Sequence, residues 1–380
     1  MTADAAVKGI RSLDQKNSIA IISNENHPPY SRPPLTKGLW KGDAEESVWK
    51  KTEEKNATVI LSRAVVTVDP SERTVIDDRD EKYSYEKLLI ATGGIINRLP
   101  FDVEGIIYYR TYDDYKNLRK QSESAKNILV IGGGFIGSEI AAGLAMNKKK
   151  VTMIFPDDNI GSRVYPKSLA EFITSYYREK GVTIANHDEV VFLSKNSSGY
   201  TIKTKAGKTL EADIVVAGIG IKPDISLAEK TGITTSNGID TDEFLRTNQP
   251  DIYAAGDVAN FYSPSLGKRM RVEHEDNALT MGELAGKNMA GASEKYTHLP
   301  FFYSDLFDLG YEAVGELDSR HQMVEDWKEP FREGVIYYLE NGRVRGALLW
   351  NTWNQVDHAR ELIGQPGPFN EQNVKGLLPK

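Results

Sequence analysis

A chain of 380 residues, 40% hydrophobic and 27% charged, suits two or three soluble domains, and its net charge of −7 argues against a general nucleic-acid footprint. Cysteine is absent, which excludes a structural disulfide, a thiolate metal site and a dithiol redox pair within the chain, so redox chemistry requires a bound cofactor; no metal site is expected. No apolar run approaches the ~20 residues of a membrane span, and the first residues, M-T-A-D-A-A-V-K-G-I-R, carry neither an apolar signal core nor an Arg/Ser-rich transit pattern, so a cytoplasmic location is the default.

In chain order, Ala3, Ala6, Val7 and Ile10 recur at helical spacing from Met1 to about Leu13, and Ser18 to Ser23 is a strand followed by an acid, Glu25. Helix, strand and acid form the back half of a βαβ unit whose front half, a strand with its glycine turn, is absent. Ala3 stands where the third small residue of such a turn belongs, so a strand and leading glycines are expected upstream of Met1. The proline-rich stretch His27 to Trp40 is expected to be extended and stiff, with Arg32 and Lys37 as cations for a phosphate and a ring anion. Short strands follow within Ala57 to Val68 and at Thr74 to Ile76. A further strand, Tyr85 to Gly94, ends in A-T-G-G, where glycine permits close approach of a ligand. Asp113 to Lys126 is a polar helix.

The stretch N-I-L-V-I-G-G-G-F-I-G-S-E, Asn127 to Glu139, is the strongest signal in the chain. Strand Ile128 to Ile131 runs into Gly132, Gly134 and Gly137, and helix formers follow, so that glycine backbone and a helix N-terminus face a pyrophosphate. Strand Val151 to Phe155 then leads to Asp157, twenty residues after Gly137, the place of an acid that binds the NAD ribose. Helix Lys167 to Lys180, strands Val182 to Ala185 and Glu189 to Leu193, a hairpin around Ala206-Gly207 and a buried strand Asp213 to Gly220 come next. Strand Ile252 to Ala255 delivers Gly256-Asp257, whose carboxylate suits a ligand hydroxyl. Asn277 to Met289 is a helix. Strands at Tyr311–Glu316, Gly334–Glu340 and Arg343–Trp350, with an Asn341-Gly342 turn, complete the chain beside an aromatic group of Phe301, Phe302, Tyr303, Trp350 and Trp353.

The segments P-Y-S-R-P-P-L-T-K, L-I-A-T-G-G, I-G-G-G-F-I-G-S-E, Y-A-A-G-D-V, R-V-E-H-E-D and Y-S-D-L-F-D-L-G-Y-E-A-V-G span nearly the whole chain. In this order they resemble the flavoprotein reductases that bind two dinucleotides, nearest to the apoptosis-inducing-factor-like proteins and the NADH:ferredoxin and rubredoxin reductases. The resemblance implies an α/β fold with two Rossmann-like dinucleotide-binding domains, for FAD and NAD, plus a C-terminal α+β interface domain. The implied ranges are 1–111 and 236–300 for FAD, 112–235 for NAD and 301–380 for the interface domain. Cofactors would be FAD and NAD(H).

By the same resemblance, Glu25, Arg32, Lys37, Val66, Ala91, Thr92, Gly93, Arg98, Gly256, Asp257, Glu273, His274 and Tyr303 would contact FAD. Gly132, Gly134, Phe135, Ile136, Gly137, Asp157, Gly220 and Glu312 would contact NAD. Lys37, paired with Glu139, would sit near flavin N5. Phe135 would stack where nicotinamide enters, and His274 would border it. A cation beside the ring favours its reduced form, and an acid fixes the cation. Where the family has a second His this chain has Glu275, and Tyr303 replaces a Trp.

The implied activity is NADH-dependent reduction of FAD, with electrons passing to a ferredoxin or rubredoxin, a quinone or oxygen. The alternative is a redox sensor that forms a long-lived reduced flavin–NAD complex with little turnover. Partners would be NADH and a small iron–sulfur protein or quinone, with no nucleic acid and no membrane span, in a monomer or homodimer.

Overall fold

The computed structural model describes residues 1–197 and 199–379. The chain divides into two compact units, one formed by Met1–Ser31, Glu46–Ile95 and Lys222–Phe301, the other by Arg32–Glu45, Ile96–Ile221 and Phe302–Lys380. Among the described residues no helix is long and apolar enough to cross a membrane.

In the first unit the helices Thr2–Leu13 and Glu275–Met289 lie against each other. Small residues bring their backbones into direct contact: a Cβ on Gly286 would lie 2.1 Å from the Ala6 carbonyl oxygen, and one on Gly9 2.0 Å from that of Glu283. Strand Ala20–Ile22 pairs parallel with Thr58–Ile60, and Ile252–Ala254 pairs parallel with Leu88–Ile90. Val65–Asp69, Thr74–Asp77 and Lys82–Ser84 form an antiparallel sheet. A core of Ile90, Ile239, Leu245, Ile252, Phe261 and Met281 holds these pieces together.

The second unit is built on a five-stranded parallel sheet, in the order Thr183–Ala185, Lys150–Ile154, Asn127–Ile131, Ile214–Ala217 and Ile107–Tyr108. The central strand, Asn127–Ile131, is apolar because helices and loops cover both faces of such a sheet. Its neighbours are Lys150–Ile154 on one side and the later strand Ile214–Ala217 on the other, so the strand order reverses beside it, where α/β sheets bind ligands. The helix Phe135–Met146 follows at once and is buried from Gly137 to Leu144. A hairpin sheet of Val190–Asn196, Gly199–Thr204 and Thr209–Ala212 is attached, and the C-terminal part is a five-stranded sheet in the order Phe301–Leu306, Leu309–Gly315, Arg343–Trp350, Glu333–Glu340 and Gln322–Glu329.

Most expected elements are present within a few residues, and the mixed α/β class stands. Two expectations need correction. The proline stretch is not extended throughout: Pro33–Leu35 is a 3-10 turn with proline in its first positions, followed by a short helix, Gly38–Lys41. Proline suits a first helical turn because it has no N–H to satisfy there. The strand expected over Tyr85 to Gly94 is two strands, Leu88–Ile90 and Gly94–Ile96, because Gly93 adopts φ +70° and turns the chain between them. Phe301, Phe302 and Tyr303 of the aromatic group lie in strand Phe301–Leu306.

The contact between the two helices of the first unit sets the sign of one substitution. Alanine has the better helix propensity, by about 1 kcal/mol, but its methyl at position 286 would overlap the Ala6 backbone. Gly286→Ala is expected to destabilise the protein by about 1–3 kcal/mol, read from urea unfolding. An unchanged or raised midpoint would mean that the helices separate without cost.

Candidate active site

The glycine turn after Asn127–Ile131 shows where a ligand fits. A Cβ on Gly132 would lie 2.4 Å from the Gly218 oxygen, and one on Gly137 2.2 Å from the Gly132 oxygen. Both positions are closed by protein. Gly134, the N-cap of the Phe135–Met146 helix, has nothing within 4 Å of its notional Cβ. The turn is therefore packed on two glycines and open at the middle one, at a helix N-terminus with unpaired N–H groups and a positive dipole end. That arrangement fits a dinucleotide phosphate. Asp157, beyond strand Lys150–Ile154, has Arg163 Nη2 at 3.4 Å from its Oδ1, and the Arg163 side chain is exposed.

Five residues beyond Gly134, Glu139 is buried, its side chain 3% exposed. A carboxylate inside an apolar helix needs partners for both oxygens. Oε2 accepts from Lys37 Nζ at 2.8 Å and from Thr36 Oγ1 at 2.5 Å; Oε1 accepts from Ser304 Oγ at 2.6 Å. Lys37, 11% exposed, also lies 5.1 Å from the Tyr303 ring centroid. The proline segment is fixed to this helix by Trp40. Its indole donates to the Leu35 carbonyl, its ring packs against Gly143, and Asn147 Nδ2 donates to its carbonyl.

Lys37, Glu139 and Tyr303 are thus brought together, as the sequence resemblance implies, with Thr36 and Ser304 as two further partners that sequence reasoning missed. A lone hydroxyl residue has no spacing pattern, so only the fold could reveal them. Phe135 and Ile136 are partly exposed, and the Phe135 ring meets Phe302 edge-on at 5.1 Å. Arg32 donates to the Arg110 carbonyl, and exposed Arg98 lies over the Tyr108 ring. Gly220 accepts from the Asn97 N–H. Glu312 has one buried carboxylate oxygen, Oε2, without a protein partner, and burial pushes its carboxyl up from the ordinary range. An unsatisfied buried oxygen is a natural acceptor for a ligand amide.

In the first unit, Glu25 accepts from Tyr30 Oη at 2.5 Å. The register of the Val65–Asp69 strand skips Val66 at a bulge, leaving it exposed. Thr92 Oγ1 donates to the Asp224 carbonyl, whose own N–H donates to Gly93; Ala91 precedes them, half-buried. Gly256 meets the start of the Thr2–Leu13 helix at Thr2. Arg271 Nη1 donates to both the Asp257 carbonyl and the Glu273 carboxylate. His274 caps the Glu275–Met289 helix, and desolvation pushes its imidazole down to about 4, against the opposing pull of Asp276. It is therefore neutral at physiological pH.

This geometry has counterparts among known proteins. The pattern of the pyridine nucleotide-disulphide oxidoreductase family matches residues 3–282. That of the apoptosis-inducing factor, mitochondrion-associated, C-terminal domain matches 285–328 and 320–365. Monodehydroascorbate reductase 3 of Arabidopsis thaliana is 35% identical over 388 residues, covering 93% of this chain and 88% of that protein. Apoptosis-inducing factor 1, mitochondrial, of Dictyostelium discoideum is 33% identical over 404 residues, covering 94% and 75%. The ferredoxin reductase for the CYP199A2 system of Rhodopseudomonas palustris superposes with a TM-score of 0.90 at 25% identity, covering 98% of this chain and 94% of that one. Putidaredoxin reductase in its covalent complex with putidaredoxin superposes with a TM-score of 0.89 at 26% identity, covering 96% and 90%.

The two kinds of glycine separate folding from binding. Gly137→Ala should unsettle the turn and lower the urea midpoint, because its methyl meets backbone. Gly134→Ala should hold stability within about 1 kcal/mol, yet weaken NAD(P)H binding by about tenfold or more, measured by calorimetric titration. Wild-type affinity in Gly134→Ala would place the phosphate elsewhere.

Proposed function

The chain belongs to the pyridine nucleotide-disulphide oxidoreductase family, and from that premise we propose that it is an NADH-dependent FAD oxidoreductase that delivers electrons to a one-electron acceptor, a small iron–sulfur protein. FAD and NAD(P)H are the cofactors of the family, and the chain is an NAD(P)H-dependent oxidoreductase. It has no cysteine, so a thiol relay from flavin to a disulphide has no residue to run on. When bound, FAD accepts a hydride from the nicotinamide and releases electrons singly or in pairs.

What supports the reading most is the buried Lys37–Glu139 pair, whose Glu139 lies on the same helix that opens with the uncrowded Gly134. In the proposal, Gly134 and the helix N-terminus bind the nicotinamide dinucleotide by its phosphates. Asp157 takes the ribose hydroxyls, Phe135 and Ile136 present an apolar face to the nicotinamide, and Glu312 accepts from its amide. Lys37 holds positive charge beside the isoalloxazine, and Glu139 keeps that charge in place. Glu25, Arg32, Ala91, Thr92, Gly93, Gly256, Asp257 and Glu273 bind FAD, and neutral His274 adds no charge beside the ring. The named partner of the putidaredoxin reductase structure, and the ferredoxin reductase likeness, support an iron–sulfur acceptor.

A carboxylate at Asp157 bonds a 2′-hydroxyl and repels a 2′-phosphate, while Arg163 beside it works the other way. With ferricyanide as a one-electron acceptor, NADH is expected to exceed NADPH in kcat/KM by about tenfold, the effect of ~1.4 kcal/mol. Equal values would remove Asp157 from the ribose, and absence of NAD(P)H-driven reduction would remove the function.

Lys37→Ala should slow NADH-driven flavin reduction by about tenfold or more, the worth of ~1.5–3 kcal/mol for a lost charged contact. Stopped-flow absorbance at the flavin band reads this directly. A wild-type rate would reduce the pair to a structural salt bridge.

A further inference from the structure

One large aromatic side chain at the end of the C-terminal sheet stays in the open. Trp350 is fully buried, whereas Trp353, three residues on, is 46% exposed. The short loop that carries it is fixed at several points. The Asn351 N–H donates to the Gly310 carbonyl, Asn351 Oδ1 accepts from the Gly310 N–H at 2.8 Å, and Asn351 Nδ2 donates to the Arg332 carbonyl at 2.8 Å. Thr352 is buried, and its hydroxyl donates to the Gly334 carbonyl. Asn351 and Asn354 hold φ at +46° and +62°, a region that asparagine enters more readily than most residues with a side chain. None of these bonds uses the Trp353 side chain, so the loop presents the indole on a rigid mount.

The ring lies over Gly310. A Cβ there would be 2.9 Å from Trp353 Cη2 and 3.1 Å from Cζ2, so the indole edge takes the place of the missing side chain. Gly310 and Glu312 both belong to strand Leu309–Gly315. Residues two apart on a strand share one face at a separation of about 7 Å, so the indole and the Glu312 side chain are neighbours on that face. Glu312 Oε2 is buried without a hydrogen-bond partner among the described residues. Such an oxygen costs free energy until a donor reaches it, and the bond then made is strong only where water is kept out. The indole, one place along the strand face, is the apolar surface that keeps it out.

We propose that Trp353 is a binding residue for the nicotinamide end of the dinucleotide: its exposed indole covers the nicotinamide beside Glu312 and shields the carboxamide contact from water. This rests on the reading that Glu312 accepts from the nicotinamide amide, and it gives that contact its apolar wall. The carboxamide supplies the N–H donors that Glu312 Oε2 lacks, and the ring beside it is flat, the shape an indole packs against. In the oxidised dinucleotide the ring is also a cation, which an indole face attracts. Phosphate and ribose have no flat face and no amide, so Trp353 acts on the nicotinamide alone.

The test is a calorimetric titration of the FAD-loaded, oxidised protein with two probes, neither of which reacts there. One is NAD+; the other is ADP-ribose, which keeps the pyrophosphate and the adenosine end but has no nicotinamide. Trp353→Ala should weaken NAD+ by about tenfold and leave ADP-ribose within about twofold of wild type. Trp353→Phe, which keeps a flat ring, should hold NAD+ within about threefold. If Trp353→Ala does not fold, Trp353→Leu decides: it keeps apolar bulk over Gly310 but no flat face, and NAD+ alone should weaken, by about fivefold. Wild-type NAD+ affinity in the decisive variant overturns the proposal. So does an equal loss for both probes, because the indole then acts through the fold and not on the nicotinamide. Glu312→Ala run alongside separates the two levels. Unaltered NAD+ affinity there defeats the reading of Glu312 itself, whereas a weakened Glu312→Ala beside an unaltered Trp353→Ala defeats only the role of the indole.

Discussion

The second unit is organised around a constraint that one residue imposes: a carboxylate, Glu139, in the middle of a helix buried on nearly every side. An ionised acid there is tolerable only if both oxygens are paired, and removing one partner of a buried pair typically costs about 3–5 kcal/mol. Three segments distant in sequence answer that demand: the proline stretch with Thr36 and Lys37, the helix itself, and the strand with Ser304. Their convergence fixes where a cation is displayed at reduced exposure. A lysine held in this way keeps its position without relying on solvent, and an electrostatic site near a redox ring needs such fixed charge.

The supporting packing follows from small residues. Gly143 leaves room for the Trp40 ring, which presses the proline segment onto the helix, and Asn147 ties down the Trp40 carbonyl. Arg119 lies over the same indole. Gly137 and Gly132 let the helix start directly on the end of the central strand, while Gly134 leaves the space that a phosphate would need. Folding and binding thus draw on different glycines of one turn.

Much of this was legible in the sequence. The central strand, glycine turn and helix follow from an apolar run, spacing and helix formers, because local physics decides them. The pairing of Lys37 with Glu139 came from resemblance, since no local rule joins residues so far apart. Thr36 and Ser304 were illegible for the same reason. Strand Gln322–Glu329, Q-M-V-E-D-W-K-E, was hidden by its charges: Val324 and Asp326 face inward, and Asp326 accepts from the Gly376 N–H, so an acid occupies a core-facing position that pattern reading assigns to apolar residues. Helix Val356–Gly364 was missed because its cap, Gln355, carries no capping signal. The proline stretch misled because proline both stiffens extended chain and begins helices, and the surrounding contacts select the second.

The central claim is that this chain joins a nicotinamide dinucleotide to FAD through one arrangement of fixed charge. The most direct measurement is an anaerobic titration of the FAD-loaded protein with NADH, following the flavin absorbance. The account predicts full bleaching with one equivalent of NADH per flavin. Flavin that stays oxidised in excess NADH, on protein shown to hold both cofactors, would contradict it.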